Sequence, residues 1–264
     1  MNGPSLADDI EDIVRRDGAE YLAVNHFADS EHFTRLRPEL YVIQDTYFWN
    51  DSVLDTYRKR RDHTLTVLNE KVSWDMRLFV PRGCSRRNWL REQLPNPRIK
   101  LIFFNSDCLR LHKREFGAFI GSPRWLFWMW RREMLSPSPE NVLVAALYIT
   151  QLLGFRHLEI KGADFSFFRE LTVDQECNRV GRIVRHFNDE EFRPTFKDKQ
   201  GLRESTMAYE MMRWSRAFAS LEAMAQYLEW SEVEVLNASR HSYIDSLPRP
   251  TPEDFLVSES EGHP

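Results

Sequence analysis

Short apolar runs rich in β-forming residues alternate along this chain with longer helical patterns, and few folds accommodate that alternation. The strand candidates are Tyr21–Asn25, Leu40–Gln44, Arg77–Pro81, Lys100–Asn105, His157–Lys161 and Glu232–Leu236. Between them lie helical stretches at Ser52–Ser73, Arg87–Leu94, Asn141–Leu153 and Leu202–Glu229. Strands separated by crossover helices predict an α/β fold with a doubly wound, mostly parallel sheet, Rossmann-like in plan. Asn141–Leu153 is apolar on nearly every face and stops at Gly154, so it is expected to pack deep against the sheet at the centre of the fold.

The nucleotide-binding α/β domain is expected to span residues 1–164 and 202–247. Residues 165–201 carry mixed charge, weak periodicity and no clear strand, the pattern of an insertion or lid. Residues 248–264 are rich in proline and acidic side chains and read as a disordered tail. The chain opens on Asn2-Gly3-Pro4-Ser5-Leu6 and runs directly into an amphipathic segment with acidic residues in its first turn. A helix start of this kind follows a strand in a nucleotide-binding fold, so the first strand of the sheet is read as missing.

Charge and cysteine usage narrow the function. Thirty-six basic against 40 acidic residues give a net charge of -4, which offers no global basic field to hold nucleic acid. Cys84, Cys108 and Cys177 form no CxxC pair and no cluster with histidine at metal-ligand spacing, so they read as thiols in a reducing compartment. No apolar run reaches a membrane-spanning length and no secretory signal precedes the first motif, which makes a cytoplasmic location the expectation.

Polar residues at strand ends are the candidates for chemistry, because ligands in open parallel sheets bind beyond the carboxyl ends of the strands. Asn2, Gly3 and Ser5 form a small-residue turn opening a helix, which suits phosphate or ribose and is equally an ordinary N-cap. Val24-Asn25-His26 and Gln44-Asp45 end the next two strands, where Asn and Asp also serve as turn formers. The most specific stretch runs from Asn141 to Phe167: an apolar helix, a glycine stop, a strand, then Gly162-Ala163-Asp164-Phe165-Ser166.

Taken with the opening NGPSL, Asn25, the run LYVIQDTYFW and the late VEVLNASRHSYIDSL, this block resembles the bacterial sialyltransferases that use CMP-activated sialic acid. The resemblance covers roughly residues 2 to 165 and 232 to 247 in the same order. It implies a variant GT-A-like fold and metal-independent, inverting transfer of sialic acid, or a related acidic sugar, from a CMP donor to a glycan or lipid-linked acceptor hydroxyl. No further cofactor is implied, and self-association is left open. Asn2, Gly3 and Ser5 would meet the nucleotide, Asn25 and Asp45 the donor, and Gly162, Asp164 and Ser166, with Asn141 at the head of the apolar helix, would shape the nucleotide pocket. The chain also lacks an Asp-x-Asp, the spacing by which many sugar-nucleotide enzymes hold a divalent ion.

This chain departs from the family at three positions. Ser166 and the neighbourhood of Thr172 stand where the family has tyrosines that donate to the leaving phosphate, and no histidine occurs between Asp198 and Arg213, where the general base is expected. The candidates for that base are His186 on the lid, Glu204 and His241. Two alternatives stay open: a pterin pyrophosphokinase-like enzyme needing ATP and magnesium, and a catalytically inactive nucleotide-binding protein of a surface-polysaccharide cluster. The run Arg124-Trp125-Leu126-Phe127-Trp128-Met129-Trp130-Arg131-Arg132 reads first as core packing, and second as a peripheral contact with the inner membrane face or a stacking surface for sugar rings. Arg58-Lys59-Arg60-Arg61 reads as a solvated helix face.

Overall fold

The computed structural model describes Gly3, Leu6, Ile10, Ile13 and residues 18–108, 124–138, 140–185 and 190–251. Four short strands, β1 (Leu22–Val24), β2 (Leu40–Val42), β3 (Met76–Pro81) and β4 (Ile99–Phe104), form a parallel sheet in sequence order. Every neighbouring pair in that sheet is parallel, with Leu22 opposite Leu40, Leu40 opposite Arg77 and Met76 opposite Ile99. The helices α1 (Phe33–Leu36), α2 (Asp55–Lys71) and α3 (Arg87–Gln93) connect successive strands.

Both faces of this sheet are buried, and the two-residue period of a strand accounts for how. Ala23, Tyr41, Ile43, Leu78 and Val80 point to one face and pack with Leu65 and Leu68 of α2 and with Ile10. Their neighbours Val24, Leu40, Val42 and Phe79 point to the other and pack on α5 (Val142–Leu152). Alternate side chains thus serve two cores.

α5 explains why the apolar run at 141–153 has no polar face. Val142, Ala145, Ala146 and Ile149 lie on the four-stranded sheet, whereas Leu143, Val144, Leu147 and Tyr148 belong to a separate core. All residues from Val142 to Thr150 are buried. The Asn141 side chain caps the helix, accepting from the amides of Leu143 (2.8 Å) and Val144 (3.2 Å). Gly154, at φ 91°, ends it in a left-handed turn. The second core is completed by α4 (Arg124–Arg131), α6 (Met207–Trp230) and a two-stranded parallel sheet of β5 (His157–Ile160) and β9 (Glu234–Asn237).

The six expected strands and four expected helices are all present within a few residues of their predicted bounds. Among the described residues, however, the expected single sheet is two parallel sheets, held together by α5. The strand read as missing would precede Gly3, outside the described residues. Residues 165–201, read as lacking strands, contain an antiparallel sheet of β6 (Leu171–Val173), β7 (Val180–Arg185) and β8 (Glu190–Pro194). Residues 248–251, read as part of a disordered tail, are described and held: Pro248 accepts from the Asn237 amide (2.7 Å), and Arg249 donates to the Ser239 carbonyl (2.6 Å). Residues 252–264 lie outside the described residues.

Arg61 corrects the reading of the basic run as solvated. It is 3 % exposed, pairs with Asp51 and Asp62 at 2.8 Å each, and lies over the Trp89 ring. A buried guanidinium persists here because two carboxylates and an aromatic face replace its water. Among the described residues no helix is long and apolar enough to cross a membrane, and no group of three or more His, Cys, Asp and Glu could hold a metal ion.

Candidate functional site

The site is built at the carboxyl ends of the strands. β1 ends in Asn25, whose φ of 46° places it in the left-handed region that asparagine tolerates better than most side chains. In that pose its amide bridges two strand ends: Oδ1 accepts from the Gln44 amide (3.3 Å) and Nδ2 donates to Asp45 Oδ2 (3.1 Å). The turn is fixed from beneath by Tyr41, whose fully buried hydroxyl donates to the Asn25 carbonyl (2.7 Å) and accepts from the Ala28 amide (2.9 Å). Asn25 and Asp45, both singled out from sequence, are therefore direct partners.

A buried polar chain lies behind Asp45. Tyr47, two residues on, meets His26 Nε2 at 2.5 Å; His26 Nδ1 meets Thr64 Oγ1 at 2.7 Å; and Thr64 Oγ1 donates to Asp29 Oδ1 at 2.7 Å. Donors and acceptors balance with one tautomer: Tyr47 donates to Nε2, Nδ1–H donates to Thr64, and Thr64 donates to the Asp29 carboxylate. Burial lowers the His26 pKa to about 4; nearby Arg60 and Lys199 push the same way and Asp29 opposes them. Burial, with Asp45 beside it, raises that of Tyr47. Both groups are thus held neutral at physiological pH.

The His26 shift predicts a pH dependence of stability. The unfolded chain takes up a proton near pH 6.5 and the folded chain only near 4, so the folded state loses stability as pH falls through that window. Above the window the histidine is neutral in both states and contributes no slope. The expected loss is about 3.5 kcal/mol, the interval from 6.5 to about 4 at about 1.4 kcal/mol per pKa unit. Denaturant melts of wild type and His26→Asn between these pH values check it. Equal slopes in the two proteins would contradict the assignment.

The second part of the site is the loop after β5. This loop lies at the carboxyl end of β5 in the two-stranded parallel sheet. Gly162, at φ 63°, accepts from the Gly3 amide (2.8 Å). A Cβ on Gly3 would stand 2.6 Å from the Gly162 oxygen and 2.7 Å from the Asp164 carboxyl carbon, so only glycine fits. Asp164 is buried. The segment after β9 latches this loop: Ser239 Oγ accepts from the Ala163 amide (2.8 Å), Ser242 Oγ donates to the Ala163 carbonyl (2.7 Å), and Asn237 Nδ2 donates to Ser242 (2.9 Å).

The segment 165–201 reaches the first part of the site through Lys199. The Lys199 carbonyl accepts from the Leu54 amide (2.9 Å), and its ammonium lies over the rings of Tyr57 (4.8 Å) and Tyr47 (5.3 Å). Its base is aromatic, with Phe165 and Phe168 packed edge-on against Trp214 and Phe218. Ser166 opens the helical turn Phe167–Glu170 between them, its carbonyl accepting from Arg169.

The structure thus joins Gly3 to Gly162 and Asp164, and Asn25 to Asp45. Asn141 caps α5, and its buried Nδ2 has no hydrogen-bond partner among the described residues. Asn2, Ser5 and His186 lie outside the described residues. Glu204 is paired with Arg179 at 2.6 Å, and His241 is exposed after β9. Sequence reasoning missed Tyr47 and Thr64 and left His26 without a role, because their partners lie 21 and 38 residues apart. It also missed Asn237, Ser239 and Ser242, although an Asn-x-Ser at a strand end is a readable sign of a polar latch. No protein-family model, curated protein or solved structure matches the chain.

Proposed function

We propose that this chain is a glycosyltransferase that moves sialic acid, or a related acidic sugar, from a CMP donor to an acceptor hydroxyl, with inversion and without a metal. The observation that carries the reading is the arrangement of two tight contacts at the carboxyl ends of parallel strands: Gly3 against Gly162 and Asp164, and Asn25 against Asp45. The first is a close-packed glycine turn of the kind that lets a nucleotide approach backbone amides. The second is an oriented carboxylate, which can serve as the general base of a metal-independent transfer.

In this reading Asp45 Oδ1 takes the proton of the acceptor hydroxyl as its oxygen attacks the anomeric carbon. The bond to the donor phosphate breaks, and CMP leaves with the electron pair. Asn25 fixes the other carboxylate oxygen, and the neutral Tyr47–His26–Thr64 chain leads the proton toward Asp29. Lys199 supplies positive charge at the same end of the sheet, in place of the tyrosines of the family at Ser166 and Thr172.

A thermal-shift titration with CMP, CDP, UDP, ADP and ATP, with and without magnesium, tests the nucleotide. Stabilisation by CMP without metal, followed by release of CMP from a CMP-sugar, is the expected result. Stabilisation by ATP and magnesium alone would replace the reading with a pyrophosphokinase-like one. CMP binding with no turnover on any CMP-sugar would leave a nucleotide-binding protein without transfer.

A further inference from the structure

α4 divides its aromatic residues between two faces. Leu126, Phe127 and Trp130 are buried among Tyr148, Tyr227 and Trp230 of the second core. On the opposite face Trp125 and Trp128 are 52 % and 48 % exposed, and Met134 just beyond the helix is 54 % exposed. Arg124, Arg131 and Arg132 are exposed beside them, and the Arg132 guanidinium lies over the Trp128 ring at 5.4 Å. The helix itself carries no carboxylate; Glu133 follows it. Indoles left half in water beside arginines do not resemble a merely solvated face, because a large aromatic surface is costly to leave wet.

The sequence leading into and through this helix is cationic. The stretch 109–132 contains six lysines and arginines against one carboxylate, Glu115, although the whole chain has a net charge of -4. Against that net charge, the exposed Arg124, Arg131 and Arg132 beside the two half-exposed indoles give this face one partner chemistry, an anionic surface. Tryptophan and arginine together match the headgroup layer of an anionic bilayer, where the indole ring sits at the interface and guanidinium meets phosphate.

We propose that the outer face of α4 docks the protein onto an anionic membrane surface. Docking there would place the membrane beside the end of the sheet that carries the site. The Asn105 side chain at the end of β4 donates to the Glu133 carbonyl (2.7 Å), and the Ser136 amide donates to the Asp107 carbonyl (2.8 Å). These contacts tie the end of α4 to the carboxyl end of the sheet. The delivery of a lipid-linked acceptor to that end rests on the glycosyltransferase reading; the docking itself does not.

Sedimentation with sucrose-loaded vesicles tests it without any nucleotide, so this inference and the proposed function can fail separately. The vesicles are phosphatidylcholine alone, or phosphatidylcholine with about one-third phosphatidylglycerol, for which each basic side chain near the surface adds about fivefold in affinity. Wild type is expected to sediment with the anionic vesicles alone, and progressively less as salt is raised. Trp125→Ala with Trp128→Ala, and separately Arg131→Glu with Arg132→Glu, are each expected to reduce partition by about tenfold or more. All four residues are exposed, and an unchanged circular dichroism spectrum shows that the fold is kept. No partition of wild type, or partition unchanged in both double variants, would overturn the proposal. A dimer in gel filtration that the tryptophan substitutions dissolve, with no vesicle binding, would overturn it in favour of a protein partner.

Discussion

Asp45→Asn is expected to lower sugar transfer by about 10²–10⁴-fold, the usual contribution of a positioned general base. The substitution changes charge and basicity and very little else. Asp45 Oδ2 accepts from Asn25 Nδ2, and an asparagine can offer its own carbonyl oxygen to the same donor. The strand end, the Asn25 turn and the Tyr41 bonds beneath it have no reason to move. CMP should therefore stabilise the variant as it does wild type, while turnover of a CMP-sugar collapses. A loss of less than about threefold would remove Asp45 from the mechanism. His26→Asn is a useful companion, because it interrupts the buried chain without touching Asp45. If that chain carries the proton, its loss should fall on kcat and leave KM in place.

Gly3→Ala is expected to cause the largest loss of nucleotide binding for the smallest change in volume. The new methyl carbon would have to share space with the Gly162 oxygen at 2.6 Å and the Asp164 carboxyl at 2.7 Å, and neither is the free end of a flexible side chain. Gly162 is in a left-handed turn, and Asp164 is buried with its backbone bonded to Tyr243, so the loop cannot step aside cheaply. Overpacking of this kind costs about 1–3 kcal/mol. The melting temperature should fall, and the CMP-dependent shift should be lost or weakened by more than about tenfold, at about 1.4 kcal/mol per factor of ten. Gly83→Ala is the control: its nearest neighbour would be Ser106 Oγ at 3.6 Å, an ordinary contact, and it should behave as wild type. A Gly3→Ala protein with an unaltered CMP response would separate the turn from the nucleotide.

The parts of the fold that could be read from sequence were those in which every residue obeys one period. β2 and β3 are buried on both faces, so they appear as apolar runs broken only by Arg77; α5 is buried on both sides, so it appears as a helix without a polar face. The lid sheet gave no such sign. Leu171, Thr172 and Val173 are all only half-buried, and β7 and β8 place Arg182 opposite Arg193, so no face alternates from apolar to polar. The basic run at 58–61 misled for a related reason: Arg61 owes its burial to Asp51 and Trp89, and neither distance in space can be read from spacing along the chain. At the site, sequence singled out the residues at strand ends because turn chemistry and ligand chemistry favour the same residue types there. It could not show that Asn25 grips Asp45, nor that a lone histidine beside them belongs to a closed chain of hydrogen bonds.

α5 has a thermodynamic consequence. Val142, Ala145, Ala146 and Ile149 complete one core, and the residues between them complete another. Neither core can come apart while the other keeps its share of this helix intact, so the two halves should melt in one transition and their slowest amide protons should exchange together. A molecule held at the loop after β5 would then protect amides in β2 and β3 as well.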